Sequence, residues 1–244
     1  MRFGSSNYVF KKILNDNELS ENYESCTYKG ITLKVLYFLL MTVLGAGLGI
    51  FLVLTYAEIF VTLAVIGGIV TFISALIALL SVRMSKVFGT IYCLFEGLTL
   101  GVLSYILTMY VSGAVGLALL STIAVFGVCS FLFVSNIVKV NSKFMRFLTM
   151  FVISYIVFAL ILTIMKLFGY EMNYLLDLLV SAISIFLASL YLFFDLENIR
   201  QVVQGQYPKQ YEWYAAFGLS FTLIWLYVEI LRIAIVILSK ANDR

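Results

Sequence analysis

Seven apolar runs of about 20 residues divide this chain, near 32–54, 58–81, 87–110, 113–135, 146–168, 174–196 and 214–238. A helix needs about 20 apolar residues to cross the hydrocarbon of a bilayer. Inside lipid, backbone N–H and C=O groups find no water, so a segment of this kind satisfies them as a helix. Composition agrees, since 63% of the residues are hydrophobic and 12% are charged, against about 25% charged in soluble domains. The reading is an all-α polytopic membrane protein with seven transmembrane helices. A polar segment over 1–30 precedes one membrane domain over 31–240.

Positive charge sets the expected orientation. Arg2, Lys11, Lys12, Lys29 and Lys34 precede or open the first run. Arg83 and Lys86 follow the second, Lys139, Lys143 and Arg146 follow the fourth, and Arg200 and Lys209 follow the sixth. Only Lys166 sits in a loop on the opposite side. The positive-inside rule then predicts a multi-pass plasma-membrane protein, in a bacterium the inner membrane, with a cytoplasmic amino terminus. Arg232, Lys240 and Arg244 near the end would sit on the wrong side after seven crossings, so the last run is either a full span or a re-entrant element. The first 30 residues lack an apolar core followed by a small-residue cleavage site, so no cleavable signal peptide is expected. Tyr8, Val9, Phe10, Ile13 and Leu14 line one side of a short helix at the membrane surface, or belong to a disordered tail.

Several chemistries are excluded. There is no histidine, which removes Ser-His pairs, histidine-ligated haem and zinc sites of the HExxH kind. Cys26, Cys93 and Cys129 have no metal-ligand spacing and read as small apolar side chains. No lysine lies between 213 and 239, as a retinal Schiff base on the seventh helix would require. A net charge of +3 gives no reason to expect a nucleic-acid partner. The reading is not an enzyme, and no resident cofactor is expected.

The chemistry that remains is acidic. In 191–233 two apolar runs flank a polar connector, with Asp195 in the first and Glu229 deep in the second. Ionisable residues within lipid are costly and usually face a bundle interior or a water-filled cavity. Ser181, Ser184, Ala188, Tyr191 and Asp195 recur at steps of three and four, so they share a helix face. Ala215, Gly218, Thr222 and Glu229 do the same in the last run. A third acid, Glu96, lies in a small, polar stripe with Gly89, Cys93, Gly97, Gly101, Ser104 and Thr108. Such a stripe either packs on a neighbour or lines water, and Glu96 is either a packed neutral carboxyl or part of an ion path. Gly45 and Gly49 form a GxxxG step in the first run. Arg232, three residues after Glu229, offers it a pairing within the helix. Glu197, Arg200 and Glu212 read as charges at headgroup level.

The segments FFDLENI, EWYAAFGL and WLYVEILRI, with the passage from Arg83 through Gly89 to EGLTLG, resemble the Bax inhibitor-1/YccA-like family of transmembrane Bax-inhibitor-motif proteins. The likeness runs from about residue 31 to the end, and the SSNYVF start is similar to one bacterial branch. It implies a central last helix wrapped by the other six. It also implies a hydrogen-bonded acid pair that senses pH, an arginine latch and calcium leak across the membrane. Carried over by match, the pair is Asp195 with Glu229 and the latch is Arg83. Glu229 stands where the family has aspartate, and the connector between the acids is longer than in the calcium-leak members. Counted from the connector, Glu229 also sits deeper than Asp195, so the pair requires offset helices or a late start of the last span.

Two carboxyls that share a site cannot both ionise cheaply, and they titrate as a unit. Deprotonated, they also offer oxygen ligands to calcium. The functional expectation is a pH-sensitive calcium or cation leak channel or transporter. Ser104, Ser184, Tyr191 and Thr222 would line the path, together with Glu96. The alternative is a stress regulator or scaffold that binds other membrane proteins and carries no ion.

Overall fold

The computed structural model describes residues 24–56, 60–110, 113–169 and 173–242. The surface helix expected over Tyr8–Leu14 lies outside these residues. Among the described residues seven helices follow in order: α1 Tyr28–Thr55, α2 Phe60–Leu80, α3 Ser85–Tyr110, α4 Ala114–Val134, α5 Ser142–Leu167, α6 Tyr174–Gln204 and α7 Tyr211–Asn242. Six are long and apolar enough to cross a membrane, and α2 adds a shorter apolar stretch over Val65–Leu80. The protein is a polytopic helical membrane protein, as its hydropathy requires. Large apolar side chains such as Leu80, Leu120 and Phe168 stand exposed on its outside. In water such a surface would aggregate; here it meets lipid.

The helix ends differ from expectation where the chain turns back. α6 continues eight residues past the expected limit, to Gln204, and α7 begins at Tyr211, directly after the connector. Gln206 carries the turn with a φ of 52°. From Tyr211 to Asn242, α7 is one uninterrupted helix of 32 residues, so it has no re-entrant break.

α7 is the axis of the bundle. It packs against α1, α2, α3, α4 and α6, and the Trp225 ring lies 6.5 Å from Tyr155 of α5. An aromatic ladder fixes its first half. Phe38 of α1 meets Trp213 and Phe217 edge-on at 5.7 Å each, and Tyr92 of α3 meets Phe217 at 5.5 Å and Phe221 at 5.3 Å. Edge-to-face pairs contribute about 0.5–1.5 kcal/mol each beyond their area. Phe38 and Phe217 are wholly buried. By contrast α5 rests chiefly on α6 and is the least buried of the spans.

α1 and α3 approach each other closely. Gly45 and Gly49 face the carbonyls of Leu94 and Leu98, while Gly97 and Gly101 face those of Thr42 and Ala46. A methyl group at any of the four would strike backbone. Without a hydrophobic force between helices in lipid, close backbone contact at small residues supplies the attraction. The polar stripe of α3 is therefore divided: its glycines pack on α1, and its next face carries Glu96.

Gly97→Ala should lower the thermal midpoint of the detergent-solubilised protein, with a loss of about 1–3 kcal/mol from overpacking. Gly47→Ala, where a methyl meets nothing within 4 Å, should leave the midpoint unchanged or raise it. Equal midpoints for the two variants would contradict the contact.

Candidate functional site: an acidic, aromatic cavity

A cavity of about 900 Å³ lies between α3, α5, α6 and α7. It reaches from Gln201, Tyr207 and Tyr211 at the connector to Val228 of α7. From Tyr211 to Val228 is about 25 Å at the helical rise. Asp195 and Glu96 are both on its wall, with Tyr191, Thr222 and Trp225, and no lysine or arginine is among the described lining residues. Trp225, too deep for an interfacial anchor, is accounted for as part of this wall.

Asp195 is 5% exposed. The Thr222 hydroxyl donates to its Oδ2 at 2.5 Å and also lies 3.2 Å from the Gly218 carbonyl. One hydroxyl hydrogen serves one acceptor at a time. With Asp195 ionised, Thr222 donates to the carboxylate. With Asp195 protonated, the acid donates to Thr222 and the threonine turns its hydrogen to Gly218. Both protonation states thus leave the buried groups bonded. Tyr191 and Tyr214 are within electrostatic reach of the same carboxyl.

The pair expected between Asp195 and Glu229 is not made. Asp195 lies nine residues before the end of α6, whereas Glu229 lies 18 residues after the start of α7. Because α7 starts directly after the connector, Thr222 and not Glu229 stands at the depth of Asp195. Glu229 is seven residues further on, about 10 Å along the axis. It is 5% exposed, outside the cavity lining, and its Oε2 approaches Arg232 Nη1 at 3.3 Å. The geometry of that contact makes no hydrogen bond, and Oε2 is otherwise unpartnered. The pairing with Arg232 is thus the one formed, with the acid buried and the base about half exposed.

The other expected residues divide in the same way. Glu96, Tyr191 and Thr222 line the cavity, and Ser104 and Ser184 do not. Ser184 is fully buried, its hydroxyl within reach of the Tyr155 hydroxyl of α5. Ser104 accepts from Thr108 through its carbonyl. Arg83 is exposed in the turn before α3 and makes no ion pair among the described residues, so no latch is engaged. No cluster of three or more acidic or cysteine side chains able to hold a metal lies among the described residues. With the two acids apart, Asp195 and Glu229 do not form one calcium-binding pair.

Sequence reasoning missed the structure at the connector. Glu212, expected among lipid headgroups, is 1% exposed. Its carboxylate accepts from the Thr27 backbone at 2.9 Å and the Thr27 hydroxyl at 3.2 Å, and it pairs with Lys34. A methyl group at Gly30 would fall on the Glu212 carboxylate and push it from this place. Trp213 beside it lies between Lys34 and Lys86, 5.2 and 5.1 Å from its ring centre. The segment before α1 is tied to the connector through Cys26 N–H to Tyr207 O at 2.8 Å, Lys209 N–H to Glu24 O at 2.9 Å, and a Lys209–Glu24 ion pair. These contacts hold Tyr207 and Tyr211 over the cavity. An acid flanked by residues 180 positions away in sequence carries no local signal of its burial.

A polytopic membrane protein with an acid-bearing cavity beside its central last helix is the class that this architecture defines. The chain belongs to the Bax inhibitor 1 like family, whose profile matches residues 7–239. No curated protein matches it.

Burial raises the Cys26 thiol to about 11, so about one part in a thousand is thiolate at about pH 8. With Cys93 and Cys129 replaced by alanine, maleimide should label Cys26 slowly, about tenfold faster per unit of rising pH. Glu212→Gln leaves Lys34 unpaired and should speed labelling at least about tenfold. Labelling of Cys26 with Glu212 unaltered as fast as that of an exposed thiol would contradict the connector geometry.

Proposed function

We propose that this protein is a pH-sensitive leak pathway or transporter for calcium or another cation, with its amino terminus and connector on the cytoplasmic side of the plasma membrane. The observation that carries this reading is the cavity: two carboxyls from different helices on one wall, no basic side chain among the described lining residues, and a length of about 25 Å. Ionised, Asp195 attracts a cation into the span. Protonated, it withdraws that charge, and the Thr222–Gly218 relay keeps the neutral form bonded. No residue is assigned a catalytic role.

The acids act in series and not as a shared-proton pair. Asp195 and Glu96 serve the connector half, and Glu229 with Ser184 serves the other. A cation crossing the membrane must pass from the face of α7 that lines the cavity as far as Val228 to the adjoining face that carries Glu229. In this reading that interval is the gate, and α5, held chiefly by α6, is the helix whose displacement opens it.

Calcium flux should be measured in proteoliposomes from about pH 5 to about pH 9. The unaltered protein should show pH-dependent flux, and Asp195→Asn should flatten the profile while preserving the folded protein. Glu229→Gln should lower flux at every pH and leave the shape of the profile unchanged. An Asp195→Asn profile identical to that of the unaltered protein would refute the role of Asp195. Absence of flux from the unaltered protein would refute the leak itself.

A further inference from the structure

We propose that the cavity is a binding site for a lipophilic monovalent organic cation, its charge against Asp195 and its apolar body among Tyr191, Tyr214, Phe221 and Trp225. The proposal concerns the same cavity as the cation path but does not depend on conduction.

Size is the first argument. A volume of about 900 Å³ falls within the roughly 300–1,000 Å³ of small-molecule sites. A bare divalent ion needs six to eight oxygen ligands gathered around it, and the described residues hold no acidic cluster of that kind. The wall is instead mostly aromatic and aliphatic in surface.

Charge is the second argument. Asp195 has the Thr222 hydroxyl for a partner and no cation, and Glu96 makes no side-chain hydrogen bond or ion pair with a described residue. Two carboxyls without a counter-charge in one apolar enclosure favour a cationic occupant. Aromatic faces then select the kind of cation. Tryptophan and tyrosine rings attract a weakly hydrated cation by about 0.5–2 kcal/mol each, and their apolar surface rewards burial of its hydrocarbon. A strongly hydrated inorganic ion gains nothing from that surface.

Equilibrium dialysis of the full chain in a non-ionic detergent, against a micelle blank, tests the proposal with tetraphenylphosphonium as the probe. Neutral triphenylphosphine oxide, of similar shape, is the comparison. Saturable binding of one tetraphenylphosphonium per chain is expected, at least about tenfold tighter than the oxide. Asp195→Asn should weaken it about tenfold and Trp225→Ala by a similar factor. Glu96→Gln should weaken it independently, which covers failure of the Asp195 variant to fold. Glu229→Gln, outside the cavity, should leave binding unchanged. Equal affinity for the neutral compound would overturn the proposal, as would no saturable binding, or affinity unmoved by both Asp195→Asn and Glu96→Gln. No ion gradient is present, so a failure of calcium flux does not affect this result.

Discussion

The hydrogen bond from Thr222 to Asp195 records the register between the last two helices, and the rest of the site depends on that register. α6 and α7 are antiparallel neighbours joined by a short connector, so depth on one maps directly onto depth on the other. Asp195 therefore meets the third turn of α7, and Glu229 belongs two turns deeper. One acid is on the cavity wall and the other is outside its lining, level with its deep end. A slip of two turns would bring the acids together, but it would carry Phe217 away from Phe38 and Tyr92, and Glu212 away from Lys34 and Thr27. The aromatic ladder and the buried contacts of Glu212 both oppose it.

Much of the architecture was legible because lipid removes most alternatives. Runs of about 20 apolar residues can only become helices there, and all seven appear. Period also worked: Ser181, Ser184, Ala188 and Asp195 do share a buried face, as do Ala215, Thr222 and Glu229. The spacing of Gly45 and Gly49 was readable as close packing, and α3 answers it with Gly97 and Gly101.

What failed was depth and long-range pairing. Helical period says which way a side chain faces and nothing about which neighbour stands at its level. The Asp195–Glu229 pair rested on likeness to a family, while the distance count along the two helices already argued for an offset. The structure resolves that tension in favour of the count. Glu212 was misjudged for a different reason: a charge near a helix start in an amphipathic stretch looks solvated until the chain from 24 to 34 is folded against it. Belonging to the family therefore does not carry the family's carboxyl pair into this arrangement.

A direct test of the account is the titration of Asp195 itself, followed by carbon NMR of aspartate-labelled protein with and without Glu229→Gln. Acids about 10 Å apart along the axis should titrate separately, so the Asp195 curve should be unmoved by that substitution. A displacement of more than about one pH unit, the mark of two groups sharing a proton, would contradict the register on which the cavity, the path and the ligand site are built.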